Sequence, residues 1–201
     1  MPHLTRLCAA AALALSVAAC TGPTVITTDD TVSSSRAAPP APTVSTRPSN
    51  AHLANAFAYA VPGSDPVDGA TAYAFTTPSG RWQCEIIPRT QAACRKAGTS
   101  VSEIGITGAP DEVTDAEGEN TAPTALLVDR TGDAQFAALP ASTVDDPPVL
   151  PFNRILAVAG FRCNVQEATG ISCLSELSGK GFTFSAEGYT TTYTDVPADA
   201  P

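Results

Sequence analysis

Cys20 is the residue whose neighbours in the sequence most clearly specify a chemistry. It follows an apolar run, residues 7–19, that is preceded by the cation Arg6. This run has the length of a signal-peptide core and is well short of the ~20 apolar residues that a membrane-spanning helix needs. Small residues directly before a cysteine fit a lipoprotein signal peptidase, after which the thiol would carry a diacylglyceryl group. The sequence therefore predicts a signal peptide at 1–19 and a mature chain that begins at lipidated Cys20.

Ordinary secretion is the alternative, because the small residues at 17–19 also satisfy the small-x-small cleavage rule. That route would leave Cys20 as an unpaired thiol on an exported chain, since the four cysteines further along already form an even set. Lipidation is therefore favoured, with the chain held on the extracytoplasmic face of the cell membrane. Several acyl chains make a stable anchor, at ~0.8 kcal/mol per buried methylene.

The remaining cysteines of the mature chain form a repeated pattern. Cys84 and Cys94 enclose nine residues, and so do Cys163 and Cys173. Each first cysteine lies in a strand-like run, and each enclosed loop contains turn-forming or polar residues. This pattern predicts two β-hairpins, each closed by a disulfide across its strands. Four cysteines allow three pairings, and the local one is favoured because an exported chain meets an oxidising compartment.

A metal site is the competing use of these cysteines. Structural zinc sites typically space their cysteines two to four residues apart, unlike the nine-residue spacing here. After cleavage the only histidine is His52, which lies outside the cysteine-containing region. The sequence therefore predicts neither a metal nor another cofactor.

Composition divides the mature chain into an anchor region and a folded region. Thr, Ser, Pro and Ala dominate residues 21–50 without an aromatic residue, which predicts a disordered stalk. Residues 51–69 are transitional, with a short helix expected over 52–61, so stalk and transition together span 20–69. A β domain is expected over 70–195, followed by a tail at 196–201.

Strand patterns extend through the predicted domain. Residues 73–77 read as a strand, 124–129 and 134–139 as a hairpin, and 181–186 as an alternating strand. Gly188 is expected to bulge the last strand. The fold class predicted is all-β or mainly β, a small antiparallel sheet or barrel-like domain with two disulfide-clipped hairpins.

The hairpins and their flanking motifs resemble a group of uncharacterised actinobacterial secreted and lipoprotein domains. The similarity covers most of residues 73–193, with gaps. Relatives in that group often carry further cysteines, one near the position of Ala138, which this chain lacks. The resemblance implies a cell-envelope location and a small β domain, and it brings no established activity. The matching motifs are Thr-Pro-Ser-Gly at 77–80, Val-Leu-Pro-Phe at 149–152, Gly-Phe-Arg-Cys at 160–163, Gly-Ile-Ser-Cys at 170–173 and Ser-Gly-Lys-Gly-Phe at 178–182.

The sequence contains few candidates for catalytic residues. A nucleophile activated by histidine has only His52 available, and the domain cysteines are expected to be bridged. Ser178 to Gly181 lacks the full glycine spacing of a phosphate loop and is expected to be a turn. A serine–lysine pair with Lys96 or Lys180, or paired carboxylates acting on a glycan, remain as alternatives.

An acidic stretch over 111–119 offers oxygen ligands for calcium. The weak candidates are Asp111, Asp115, Glu117 and Glu119, although their spacing does not match an EF-hand loop. A solvated acidic loop is the favoured interpretation. The net charge of −9 also argues against nucleic acid as a partner.

Three aromatic residues are candidates for a contact surface: Trp82 beside the first hairpin, and Tyr189 and Tyr193 near the end. Burial in the core is the favoured interpretation for these residues, and an exposed contact surface is the alternative. The function predicted is a non-enzymatic envelope lipoprotein whose β domain binds another envelope protein or cell-wall glycan. The alternative is a cell-wall hydrolase that uses carboxylates or a serine–lysine pair.

Overall fold

A computed structural model describes residues 48–62 and 71–201 of the chain. The predictions for the signal peptide, for Cys20 and for the stalk up to residue 47 concern residues outside these ranges. Within them, one 3₁₀ helix, Ala56–Tyr59, is the only helical element. No helix in the described part of the chain is long and apolar enough to cross a membrane.

Thirteen strands make up the described regular structure besides that helix. They are β1 Ala60–Pro62, β2 Thr71–Thr76, β3 Trp82–Ile87, β4 Gln91–Lys96, β5 Val113–Thr114, β6 Asn120–Thr121, β7 Ala125–Asp129, β8 Ala134–Ala137, β9 Ile155–Val158, β10 Phe161–Gln166, β11 Gly170–Ser175, β12 Gly181–Phe184 and β13 Tyr189–Thr190.

The strands form two larger antiparallel sheets and one short hairpin. The first sheet has the order β1-β2-β3-β4-β7-β8 and the second the order β13-β12-β11-β10-β9, while β5 pairs with β6. Within each sheet every neighbouring pair is antiparallel. The mainly β, antiparallel fold class predicted from the sequence is confirmed.

The core lies between the two larger sheets. Alternate residues of each strand point into it, because successive side chains of a strand lie on opposite faces. Phe75, Ile86 and Leu126 contribute from the first sheet, and Leu156 and Phe182 from the second, each at most 1% exposed. Burying a side chain of this size stabilises the fold by roughly 1.5–3 kcal/mol.

Both predicted disulfides are present. Cys84 pairs with Cys94 and Cys163 with Cys173, in each case between residues directly opposite each other on the two strands of a hairpin. The favoured local pairing is therefore confirmed. The two bridges also touch in the core, where the Sγ atoms of Cys94 and Cys173 are 3.9 Å apart.

The two sheets contain an internal repeat. Hairpin β3–β4 and hairpin β10–β11 have the same register when each residue of the first is matched with the residue 79 positions later. The flanking strands follow the same plan: β2 and β9 lie beside the first strand of each hairpin, and β7 and β12 beside the second. Residues separated by 79 positions can therefore be compared as equivalent positions of two similar halves.

The folded part extends beyond the predicted domain boundaries at both ends. Leu53 bridges to Ile155, and Tyr59 is 7% exposed in the core, so residues before 70 pack on the sheets. Val196, assigned to the tail, is 2% exposed. Both segments pack on residues that are remote in sequence, and composition does not reveal such contacts.

Two local predictions are corrected. The short helix expected over 52–61 is a 3₁₀ turn followed by β1, with the Asn55 side chain accepting a hydrogen bond from the Phe57 N–H. Gly188 does not bulge a strand. Its carbonyl accepts from the Ser185 N–H at 2.9 Å, which closes the turn between β12 and β13.

The contribution of the turn between β7 and β8 to the stability of the fold depends on pH through Asp129. Its Oδ1 accepts hydrogen bonds from the Gly132 N–H and from the Thr131 N–H, the latter at 2.7 Å, and these bonds lower the pKa of the carboxyl group. The carboxylate therefore stabilises the folded state above the pKa that it has in the unfolded chain. This contribution is lost as the pH falls through the lower, folded-state pKa.

We expect Asp129→Asn to destabilise the protein more at pH 7 than at pH 3. At pH 3 the wild-type carboxyl group is partly protonated, so the wild-type protein has itself lost part of the stability that the Asp129 carboxylate contributes. Urea unfolding of both proteins at the two pH values measures the difference. An equal destabilisation at both values would contradict the assigned role of the charge.

Candidate functional site

The three candidate contact aromatics lie in different surroundings. Trp82 is 6% exposed and packs edge-on against Phe184, with the ring centroids 5.1 Å apart, so it belongs to the core rather than to a contact surface. Tyr189 is 37% exposed and packs edge-on against Phe136 at 4.8 Å. Tyr193 is partly buried beside the second sheet.

The four calcium candidates are not gathered into a site. Within residues 48–62 and 71–201, the one set of three or more potential metal-ligating groups that lie within 4.8 Å of one another is Cys84, Cys94 and Cys173. Asp115 instead organises the turn of the β5–β6 hairpin, where its Oδ1 accepts from the Glu117 and Glu119 N–H groups at 3.0 and 2.8 Å. The acidic stretch is thus a hairpin with its own internal hydrogen bonds.

The structure places the two candidate lysines differently: Lys96 lines a small pocket with Ser100 and Ser102, and Lys180 lies beside Asp133. The Lys180 ammonium lies 2.7 Å from Asp133 Oδ1, so its neighbour is a carboxylate rather than a serine hydroxyl. Ser178 to Lys180 form part of the turn between β11 and β12, as expected, and Gly181 begins β12. A general acid needs a carboxyl group with a raised pKa, whereas hydrogen bonds lower the pKa values of Asp129 and Glu187.

A buried polar layer covers the outer face of the second sheet. Asn164 and Thr183, on β10 and β12, bond to the C-terminal segment, defined here as residues 191–196. Asn164 Nδ2 donates to Thr194 O at 2.9 Å, and Thr183 Oγ1 donates to Thr192 O at 2.8 Å. Because these strands are covered on both faces, all of their residues are buried and a simple in–out alternation is hidden.

Tyr193 is fixed within this layer by both of the bonds that its hydroxyl makes. The hydroxyl accepts from Asn164 Nδ2 at 3.0 Å and donates to Asp195 Oδ1 at 3.1 Å. Burial raises the pKa of the Tyr193 phenol, and the Asp195 carboxylate raises it further. The ring is therefore held in one position by a neutral hydroxyl group.

Arg162 is a buried cation on the same face. It lies on β10 between the core residues Phe161 and Cys163 and points outward, with 5% of the residue exposed. Its Nε donates to Glu176 Oε1 at 3.4 Å, Nη2 donates to Asn50 Oδ1 at 2.9 Å, and Nη1 donates to Ser49 O. A buried charge is costly unless it is paired in this way.

The entry segment, residues 48–50, is consequently held by two opposite charges. Arg162 binds the Ser49 carbonyl, while the Asp195 carboxylate accepts from the Ser49 N–H at 2.5 Å. The first described residues of the domain are thus bound to the second sheet and to the C-terminal segment together.

A cavity of about 700 Å³ opens where these parts meet, and we call it the Arg162 cavity. The entry segment, the turn after β11 and the C-terminal segment form its walls. Its size is within the range of 300–1,000 Å³ that is usual for small-molecule sites. The lining residues are Pro48, Asn50, Arg162, Leu174, Glu176, Gly179, Lys180, Thr191, Thr192 and Tyr193.

The first half of the repeat has a corresponding cleft of about 350 Å³, which we call the Gln83 cleft. Gln83 occupies the position equivalent to Arg162, and Ala97 the position equivalent to Glu176. Here Gln83 Nε2 donates to Ser142 Oγ and Val144 O at 3.0 and 3.2 Å, so the covering segment fills more of the space. The larger opening therefore belongs to the second half, and the Arg162 cavity is the candidate functional site.

Sequence reasoning did not find this cavity. In the sequence, Lys180 and Tyr193 have no apparent connection, and Arg162 is only part of the Gly-Phe-Arg-Cys motif at 160–163. One available signal was the position of Arg162 itself, a charged residue within an otherwise uncharged strand beside a bridged cysteine.

Comparison with models of protein families, with curated proteins and with solved structures found no match to this chain. The resemblance to actinobacterial envelope domains therefore stays an expectation that rests on the sequence motifs.

Proposed function

We propose that this chain is a non-enzymatic lipoprotein of the cell envelope, which carries a β domain outside the membrane and binds an envelope component in the Arg162 cavity. The single observation that carries the binding role is the cavity itself, with its buried cation and mixed polar and apolar walls. The anchor rests on the residues around Cys20.

Two features support an extracytoplasmic location. Both pairs of core cysteines are oxidised, and disulfides of this kind persist in oxidising compartments. The N-terminal run before Cys20 has the length and flanking residues of an export signal. The two features are independent of each other.

The proposed lipid anchor can be tested at Cys20. We expect Cys20→Ala to release most of the protein into the culture medium, because the substitution removes the only thiol that the predicted lipid modification would use. Cell fractionation and immunoblotting measure this distribution. Cys8→Ala is the matched control, since Cys8 lies within the predicted signal peptide, and it should stay with the membrane. Retention in the membrane fraction of Cys20→Ala from which residues 1–19 have been removed, as shown by its length on the immunoblot, would contradict the anchor.

The binding role is tested by filling the cavity. The mature Cys20→Ala chain, residues 20–201, is collected from the medium, mixed with isolated envelope material and sedimented. Thr191 is exposed at the cavity wall, so Thr191→Trp should block binding and leave the protein in the supernatant. Thr99→Trp places the same ring at the exposed wall of the Gln83 cleft and should still sediment. Equal sedimentation of both variants, or none by the parent chain, would count against the binding role of the cavity.

A further inference from the structure

We propose that the Arg162 cavity binds a sugar acid, meaning a hydroxyl-bearing ligand of about disaccharide size that carries a carboxylate. This inference rests on the proposed function, because it names the ligand class of the same site. Three features of the cavity lead to it: its cations, its hydroxyl and aromatic walls, and its contrast with the Gln83 cleft.

Arg162 supplies a fixed cation with donors to spare. An arginine side chain has five N–H donors, and three of them are used by Glu176, Ser49 and Asn50. The partner carboxylate, Glu176, has a side chain 44% exposed. Arg162 also lines the cavity, and in the proposed complex its remaining N–H groups donate to the ligand carboxylate, an acceptor whose planar geometry arginine matches well.

Lys180 supplies a second cation, and its present partner is weakly held. The side chains of Lys180 and Asp133 are 54% and 77% exposed. Ion pairs this exposed contribute little to stability, so the flexible ammonium can exchange Asp133 for a ligand carboxylate. The cavity thus combines two cations with one carboxylate, in a chain whose net charge is −9.

The remaining walls suit a sugar. Thr191 and Thr192 bring exposed hydroxyl groups, which can donate to or accept from the hydroxyls of a ligand. The Tyr193 ring is held in place through its hydroxyl, and together with Leu174 it offers an apolar surface to the C–H groups of a sugar. Sites that bind small polar ligands typically combine such apolar walls with a few placed polar groups.

The Gln83 cleft shows that the fold does not require this charge. At the equivalent position a neutral glutamine stands in place of Arg162, and the wall carries Asp145 and Asp146. An acidic wall repels a carboxylate, and the cleft has about half the volume of the Arg162 cavity. The repeat therefore contains one site suited to an anionic sugar and one unsuited to it.

The experiment compares two disaccharide probes on the mature Cys20→Ala chain, residues 20–201. One is N-acetylglucosaminyl-N-acetylmuramic acid, which carries a carboxylate, and the other is diacetylchitobiose, which does not. We expect calorimetric or NMR titration to show at least tenfold tighter binding of the first probe. This preference should shrink as the salt concentration rises, because ions screen exposed charges.

Lys180→Gln is the variant that tests the charge, because the residue is exposed and its removal leaves the buried network of Arg162 in place. We expect it to weaken binding of the carboxylate probe about five- to tenfold and to leave the neutral probe unchanged. Lys96→Gln removes a lysine that lies outside the cavity and should bind both probes like the parent chain.

The outcomes separate this inference from the proposed function. Equal binding of the two probes would overturn the sugar-acid assignment and leave a glycan-binding cavity. No binding of either probe at millimolar concentration would also overturn it, while the sedimentation of Thr191→Trp and Thr99→Trp would still decide whether the cavity binds an envelope component. Loss of the carboxylate preference in Lys96→Gln would show that the charge acts from elsewhere.

Discussion

Replacing Cys163 and Cys173 with alanine is expected to lower the free energy of unfolding by about 3 kcal/mol. The bridge joins residues 10 positions apart, and closing a loop of this size in the unfolded chain corresponds to roughly 2.5–3 kcal/mol in the loop-entropy model. Both cysteines are fully buried, so smaller alanine side chains also remove core contacts. Urea unfolding monitored by Trp82 fluorescence measures the change.

The Cys84–Cys94 bridge provides the matched comparison, since its residues are also 10 positions apart. Its removal should cost about the same, and removal of both bridges about 6 kcal/mol, a large part of the 5–15 kcal/mol typical of a domain. Because Cys94 and Cys173 touch, we expect the two losses to deviate from additivity by at least 0.5 kcal/mol. A loss below 1 kcal/mol for either pair would show that the hairpins do not depend on their bridges.

The hairpins could be predicted because their determinants are local. Cys84 and Cys94 lie opposite each other across a turn of three residues, and both the spacing and the turn residues are visible in a short stretch of sequence. The same holds for Asp129 and the turn between β7 and β8. A short-range pattern of this kind predicts which residues pair across the two strands, because the register of a hairpin follows from the length of its turn.

The Arg162 cavity could not be predicted in the same way. Its walls come from residues far apart in the chain: Arg162 and Asn50, which bond to each other, are separated by 112 positions. The entry and C-terminal segments contain few hydrophobic residues, and their packing on the sheet depends on a polar layer centred on Asn164. A buried polar network has no period in the sequence, so neither the cavity nor the boundaries of the domain were apparent.

The internal repeat explains why the two halves can differ in function. Equivalent inward positions, such as Cys94 and Cys173, meet in the shared core and are constrained by each other. Equivalent outward positions, such as Gln83 and Arg162, are covered by different segments and need not match. The two halves therefore differ on their outer faces. The second half has a large charged cavity there, whereas a loop covers the first half more closely and leaves a smaller cleft.

Gly170→Ala is expected to destabilise the protein by about 2–5 kcal/mol. Gly170 begins β11 with a φ of +89°, a backbone conformation that costs an alanine roughly 1–2 kcal/mol. A Cβ atom there would also collide with the Phe184 carbonyl oxygen and lie 2.9 Å from the Phe184 carbonyl carbon. Because these are backbone atoms of the adjacent strand β12, they cannot rotate away, and such overpacking adds roughly 1–3 kcal/mol.

Gly160→Ala separates the two contributions, because Gly160 has a nearly identical φ of +91° and open space around the added Cβ atom. We expect Gly160→Ala to lower the free energy of unfolding by only the roughly 1–2 kcal/mol that the backbone strain costs. Urea unfolding of the two variants gives the difference, and amide exchange across the β11–β12 pair should be accelerated in Gly170→Ala alone. Equal destabilisation of the two variants would mean that β12 can shift to accommodate the methyl group. Strand β12 carries Thr183, which binds the C-terminal wall of the Arg162 cavity. In that case the close approach of β11 and β12 would not fix the position of this wall.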